Sequence, residues 1–433
     1  MNIRLYNAKI LTMEKDRPIF TGEIWIKNTK IVYVGENRML ATFWEEEKGP
    51  HIAWDQEIDC EGNLLMPGFK DAHTHSGMTF LRSYADDLPL QKWLYEKVFP
   101  MEKKVDGESL YHFVKLAILE YLTSGITSIF DMYLMPDITA RACMDMGMRC
   151  VLTSGLNDFT SSVTAVEEEY DKWNHTSPLI SYLMGFHAEY TCDRVLLTQM
   201  ASLANKLRVP VYAHMSETAK EVAACKKKYG MTPPLFLDTL GMFQFGGGGF
   251  HCVHVTEDDM RVLSTRGMYV ITNPGSNTKL ASGIAPISSF LQKSIPVAIG
   301  TDGAASNNSL DMFKEMFLTA GLAKLRESDA ACLNAAKVLE MATVNGAAAM
   351  HLQDADVLAE GKLADIIMID LAQPNMQPLN NITSSLVYSA GRQNVKMTMI
   401  GGKVLYRDGA FFVGEDAANI YKEVDCIVKK ILD

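Results

Sequence analysis

Two histidines one residue apart, His73 and His75, close the run Pro67-Gly68-Phe69-Lys70-Asp71-Ala72-His73-Thr74-His75. Side chains alternate across an extended chain with period two, so both imidazoles project to one side and can grip one cation. An isolated pair of this kind could equally hydrogen-bond to neighbouring loops, so the rest of the chain has to decide. His187 and His214 follow further short apolar runs, His251 and His254 end another, and Asp302 follows one more in Gly300-Thr301-Asp302-Gly303. With ten histidines in the whole chain, this gathering at the ends of apolar runs is hard to ascribe to chance. His73, His75 and His214 with the carboxylate of Asp302 form a borderline-soft set that suits one divalent ion, Zn²⁺ first and Fe²⁺ as the alternative. The plain readings are a buried, satisfied histidine at 214 and a loop-capping aspartate at 302. Neither explains why both coincide with the run ends that face the HxH pair.

Glu217 lies three residues beyond His214. At the entry to a helix that separation keeps a carboxylate beside the cation without making it a ligand. Its everyday role would be a first-turn glutamate complementing the helix dipole. Other chemistries lack their signatures. There is no HExxH, GxSxG or Walker A sequence, and the glycines Gly246 to Gly249 precede a histidine rather than a helix. His187-Ala188-Glu189 matches half of the cytidine-deaminase signature, but the PCxxC half is missing.

Positioning these residues on one face requires a scaffold whose strand ends converge. Between the two ends of the chain, eight short apolar runs alternate with helical periodicity: 64–69, 126–132, 149–154, 180–186, 209–213, 249–253, 268–272 and 297–300. After the first run, Leu110, Phe113, Val114, Ala117, Ile118 and Tyr121 fall on one helical stripe. The alternation fits a closed (β/α)₈ TIM-type barrel or a doubly wound open sheet, and the position of the histidines favours the barrel. Strand-like runs at 3–13, 23–34 and 56–59 pair in character with 365–371 and 395–406, which reads as a small β-sandwich built from both termini. The expected division is therefore 1–59 with 356–413 as a composite sandwich and 60–355 as the barrel, followed by a docking helix over 414–433.

The 433 residues are 48% hydrophobic and 21% charged, a globular composition. A net charge of −11 argues against a nucleic-acid partner. No apolar run is long enough to span a bilayer, and the first twenty residues carry charges in place of a signal's apolar core. Eight scattered cysteines without a CxxC pair read as reduced thiols, so the expected setting is cytoplasmic. The expected partner is a small-molecule substrate, and self-association into a homo-oligomer is left open.

The chain resembles the amidohydrolase superfamily, and within it the methylthioadenosine/S-adenosylhomocysteine deaminase branch, beside the triazine chlorohydrolases. The resemblance rests on Met66-Pro67-Gly68-Phe69 leading into the HxH pair, Leu81-Arg82-Ser83-Tyr84-Ala85-Asp86-Asp87-Leu88-Pro89-Leu90, and His214-Met215-Ser216-Glu217-Thr218. It continues with His251-Cys252-Val253-His254, Asn273-Pro274-Gly275-Ser276-Asn277-Thr278-Lys279-Leu280 and Gly300-Thr301-Asp302-Gly303. It implies a barrel with a flanking sandwich and a single metal held by His73, His75, His214 and Asp302. It further implies that His251 orients the attacking water, Glu217 serves as general acid/base, His187 contacts a purine and Glu102 holds ribose hydroxyls. The expected reaction is hydrolytic deamination of an adenosine-type nucleoside. A bare nucleobase or a triazine is the alternative, and Glu102 and Trp93 discriminate between them, because a ribose clamp has no use for a base alone. A catalytically silent binding protein ranks below both. Two positions depart from the pattern: Glu189 stands where a proline is common, and Ser154 where some members carry an arginine for an amino-acid carboxylate.

Overall fold

The computed structural model describes residues 1–37 and 53–432. Residues 38–52 and 433, which fall in the expected segments 1–59 and 414–433, lie outside the described residues. Eight strands follow one another around a parallel sheet: β1 (Phe69–His75), β2 (Ile126–Met132), β3 (Arg149–Thr153), β4 (Ile180–Ala188), β5 (Val211–Met215), β6 (Gly247–His251), β7 (Tyr269–Thr272) and β8 (Val297–Ile299). A ninth, two-residue strand, Asp302–Gly303, pairs with Thr74 and His75 of β1. The chain leaving β8 thus lies beside β1, and the sheet curls back towards its own start. A doubly wound sheet reverses its strand order at a switch point, whereas here the order runs without reversal from β1 to β8. One apolar cluster takes Ala72, Phe130, Val151, Leu183, Tyr212, Phe250, Ile271 and Ala298, one residue from each strand in turn. Side chains from all eight strands meet only on the inner side of a TIM-like curl. The larger core lies outside, between strands and helices.

The first apolar run divides at Gly68. Leu64–Pro67 pairs antiparallel with Ile366–Ile369 and parallel with Lys9–Ile10, whereas Phe69 starts β1. A Cβ on Gly68 would stand 2.1 Å from the Thr127 methyl, so only glycine lets the chain cross between the two sheets here. Both termini do share a sheet. It is one continuous mixed sheet in which Asn2–Ile10, Phe20–Lys27, Lys30–Gly35, Gln56–Asp59 and Leu64–Pro67 join four strands between Ile366 and Phe411. It surrounds its own cluster, including Ile3, Ile24, Ile58, Ile366 and Met397.

The two sheets are tied by a buried bidentate pair. Arg149 Nε and Nη2, at the start of β3, donate to Asp365 at 2.7 and 3.1 Å, and the Gly401 N–H donates to the same carboxylate. The final helix, Ala417–Leu432, buries Ile420, Val424 and Ile431 and packs on the helix Gly107–Thr123. Among the described residues no helix is long and apolar enough to cross a membrane.

Candidate active site

The parallel strands deliver their last residues to one mouth. His73 and His75 lie within β1, and His187, His214 and His251 lie within the last turn of pleat of β4, β5 and β6. The sequence expectation had most of these just beyond the strands. β4 and β5 outlast their apolar runs by two residues and β1 extends through the whole HxH pair, because the mouth takes polar side chains, whereas β6 ends at His251, inside its expected run. His254 lies apart, its Nε2 against the Ser282 carbonyl at 2.6 Å.

The ring nitrogens converge. His73 Nε2 is 3.2 Å from His214 Nε2 and 3.5 Å from Asp302 Oδ1, and His75 Nε2 is 3.0 Å from the same oxygen. His251 Nε2 lies 4.0 Å from Asp302 Oδ2 and 3.9 Å from Glu217 Oε2. One donor atom from each of His73, His214, His251 and Asp302 lies within 4.8 Å of the other three. That tight group of four contains His251 where the sequence expectation put His75, and His75 joins it through Asp302.

The donor chemistry fits a cation. His75 Nδ1 meets the Met132 carbonyl, and His214 Nδ1 meets the His187 carbonyl at 2.8 Å. A carbonyl only accepts, so both rings carry a proton on Nδ1 and, when neutral, turn a lone pair on Nε2 to the centre. His251 Nδ1 is held by Asn277 Oδ1 at 2.7 Å. Among the histidines of this cluster, His73 has a buried Nδ1 without a partner. Burial drives His73 down to about 3 and His214 well below the usual range, so neither ring takes a proton readily. Burial also lowers His75, but the Asp302 hydrogen bond and charge outweigh it and carry that ring up to about 9. A bare imidazole pair 3.2 Å apart beside a carboxylate calls for positive charge between its members, and a divalent ion supplies it.

Further bonds hold the carboxylate in place. The Ser306 hydroxyl donates to Asp302 Oδ2 at 2.9 Å, and the Thr74 hydroxyl donates to the Asp302 carbonyl, also at 2.9 Å. Thr301 donates through both N–H and hydroxyl to the buried Asp71. Ser216, His251 and Asp302 all have left-handed backbones, with φ of 51°, 71° and 58°, a conformation that non-glycine residues adopt mainly where the surroundings impose it.

Glu217 is buried, and its Oε1 accepts from the Ser282 hydroxyl at 3.0 Å. Burial raises its pKa, partly offset by the neighbouring His251. A cavity of about 970 Å³ opens over this cluster, and Trp93, Glu102 and His187 all line it. Burial likewise raises Glu102, with the Tyr133 hydroxyl and His75 opposing. Ser154 lines the cavity too, its hydroxyl accepting from the Leu156 N–H at 2.9 Å. Glu189 sits behind the wall, buried, with Oε1 unpartnered and its pKa pushed up to about 7 by burial. Sequence reasoning missed Asn277, Ser282, Ser306 and Tyr133. Two of them carried a signal: Asn277 lies in the motif 273–280 that supports the resemblance, though without a role assigned to it, and Tyr133 is a polar residue directly after β2.

Comparison with known proteins agrees with the fold. Residues 64–405 match the amidohydrolase family. The chain belongs to that family. Among its relatives is a 5-methylthioadenosine/S-adenosylhomocysteine deaminase of Caldicellulosiruptor saccharolyticus, 37% identical, with 100% of this chain and 99% of the relative covered. Another protein of that name, from Nitratidesulfovibrio vulgaris, is 42% identical over 82% of each chain. An adenosine deaminase of Xanthomonas campestris, solved with bound zinc, superposes with a TM-score of 0.91 at 33% identity, covering 99% of this chain and 98% of the other. An atrazine chlorohydrolase of Arthrobacter aurescens complexed with zinc has a TM-score of 0.88 over 98% of this amidohydrolase and 100% of its own chain. At 20% identity, that likeness speaks for the fold alone.

Proposed function

We propose that this chain is a hydrolytic deaminase of adenosine-type nucleosides, acting on adenosine, 5′-methylthioadenosine, S-adenosylhomocysteine or a 5′-modified analogue. In this reading one divalent cation is held by His73, His75, His214 and Asp302. The observation that carries it is the juxtaposition of this nitrogen-rich cluster with the buried acid Glu217, under a cavity whose wall includes Glu102. The names of the full-length relatives support the substrate class. Zinc is the favoured ion, on the ligand set and on the zinc-bound relative, with Fe²⁺ second.

Held by these residues, the ion would supply one thing, a water whose pKa is lowered to about 7. Asp302 takes a proton from the attacking water, and His251 aims its oxygen at the ring carbon that bears the amino group. Glu217, whose pKa burial raises in the direction that favours a proton donor, donates to the adjacent ring nitrogen as that carbon becomes tetrahedral. Asp302 then passes its proton to the amine, which leaves as ammonia, while the new hydroxyl returns a proton to Glu217 as the carbonyl forms. His187 and Glu102 hold base and ribose, and Trp93 forms part of the wall.

In the same reading, residues 1–59 and 356–413 make a flanking sandwich, 60–355 the catalytic barrel, with Gly68 as the actual crossing point, and 414–433 a docking helix. The setting is cytoplasmic, in keeping with the unpaired cysteines, and the partner is a small molecule. An ammonia-release comparison of zinc-loaded protein on adenosine, 5′-methylthioadenosine, adenine, guanine and a triazine tests the reading. Turnover of the nucleosides is expected. Turnover of bare bases or the triazine alone would overturn the nucleoside assignment, because Glu102 would then have no ribose to hold.

A further inference from the structure

Glu221 lies four residues beyond Glu217, buried, and off the cavity wall. Its carboxylate is engaged by three consecutive backbone N–H groups. Oε1 accepts from Ser216 at 2.6 Å, and Oε2 accepts from Glu217 at 2.9 Å and from Thr218 at 3.3 Å. The Thr218 bond is the expected half of a capping box, in which the Thr218 hydroxyl accepts from the Glu221 N–H at the start of the helix Ala219–Tyr229. Helix capping needs no more than that. The bonds to Ser216 and Glu217 fall on residues ahead of the helix, where the chain leaves β5 and turns towards the cavity.

The turn is one that needs holding. Ser216 adopts φ 51°, a left-handed conformation that side-chain-bearing residues avoid, and its own hydroxyl finds no partner to favour it. Apart from Glu221, the turn is fixed only from the β6 side, by the His254 N–H donating to the Ser216 carbonyl at 2.8 Å and the Cys252 N–H donating to the Met215 carbonyl at 3.1 Å, and neither bond engages the N–H groups of Ser216 and Glu217. The direction of this turn sets where the Glu217 side chain starts. From there Glu217 reaches the Ser282 hydroxyl with one oxygen and approaches His251 with the other.

We propose that Glu221 is a positioning residue, which clamps the left-handed turn at Ser216 and so aims Glu217 at the reacting ring nitrogen. The proposal rests on the reading of Glu217 as the acid. Glutamine is the informative substitution, because it keeps the shape but turns one acceptor oxygen into a donor that faces backbone N–H groups. A misplacement of about 1 Å in such a group costs roughly 10²-fold in rate.

The test is a kinetic cycle of Glu221→Gln, Glu217→Gln and the double variant in zinc-loaded protein, with bound zinc and thermal unfolding measured on each. Glu221→Gln is expected to lower kcat about 10- to 100-fold, with KM within about threefold and bound zinc unchanged. The double variant is expected to be no slower than Glu217→Gln alone, because Glu221 acts only through Glu217. Thr218→Val removes the capping hydroxyl and leaves both upstream bonds, so its kcat should stay within about twofold. Wild-type kcat in Glu221→Gln, a double variant slowed by both factors multiplied, or Thr218→Val slowed as much as Glu221→Gln would each overturn the proposal. If Glu221→Gln does not fold, Glu221→Asp, which keeps the charge and shortens the reach, enters the same cycle with the same criteria. Full activity in Glu217→Gln would instead remove the acid assignment, a result distinct from any failure of Glu221.

Discussion

His75 and His251 both bring a ring nitrogen to Asp302, at 3.0 and 4.0 Å, and the proposed reaction gives them different tasks. With His75 as a ligand and His251 as the residue that aims water, His75→Ala should lose the bound metal. His251→Ala should keep it and turn over slowly. Elemental analysis of the two variants distinguishes the tasks, and metal loss from His251→Ala alone would exchange them. Glu217→Gln is expected to keep its metal and lose about 10²- to 10⁴-fold in kcat. Metal uptake should also release a proton. His75, held up to about 9 by Asp302, is protonated at neutral pH until a cation displaces that proton, so affinity rises with pH up to that value. Competition with a chelator at pH 6.5 and 8.5 reads the sign, and stronger binding at the lower pH would contradict it. The HxH pair and Asp302 were legible because alternation along a strand is a rule of geometry. Asn277, which orients His251, and Ser282, which holds Glu217, were not, because each meets its partner across dozens of residues and carries no spacing of its own.

Elements join where sequence periodicity is silent. The apolar run 64–69 gave no sign that it serves two sheets, since both halves are fully buried and period two is masked. Gly68 marks the break only once the approach of Thr127 is known. The Arg149–Asp365 pair spans 216 residues and locks β3 to the terminal sheet. Removing one partner of a buried pair typically costs about 3–5 kcal/mol, because the other charge is left uncompensated. Arg149→Met should therefore unfold at markedly lower urea, and an unchanged midpoint would show that the pair does not tie the sheets. The pH dependence has a definite sign. Although burial opposes it, Arg149 brings the Asp365 pKa below its ordinary value. The pair's contribution is thus present above the unfolded carboxylate pKa of about 3.9 and is lost as pH falls through the folded value. The deficit of Arg149→Met should shrink in that acid range.

At the scale of the molecule, the uninterrupted strand order and the shared inner cluster separate a TIM-like curl from an open sheet, a choice that the alternation of runs left undecided. The composite of both termini was legible as strand character, but its single continuous sheet was not, because pairing partners lie three hundred residues apart. The cavity lining also carries a consequence for substrate choice. Apart from the histidines of the metal cluster and His187, its lining among the described residues holds one basic side chain, Lys103, against the acids Glu102, Asp137, Glu169, Glu217 and Asp302, with Ser154 on its wall. A terminal carboxylate on the substrate gains little there, so kcat/KM for 5′-methylthioadenosine should exceed that for S-adenosylhomocysteine by about tenfold, near 1.4 kcal/mol. Steady-state rates on the two compounds check this, and a preference for S-adenosylhomocysteine would contradict it. The most direct test of the whole account is a titration of metal-stripped protein with Zn²⁺ that follows bound zinc and ammonia release from adenosine together. Turnover should be absent at the start, rise in proportion to bound zinc and level off at one ion per chain. Full turnover in the stripped protein, or one zinc bound per chain without any nucleoside deamination, would contradict it.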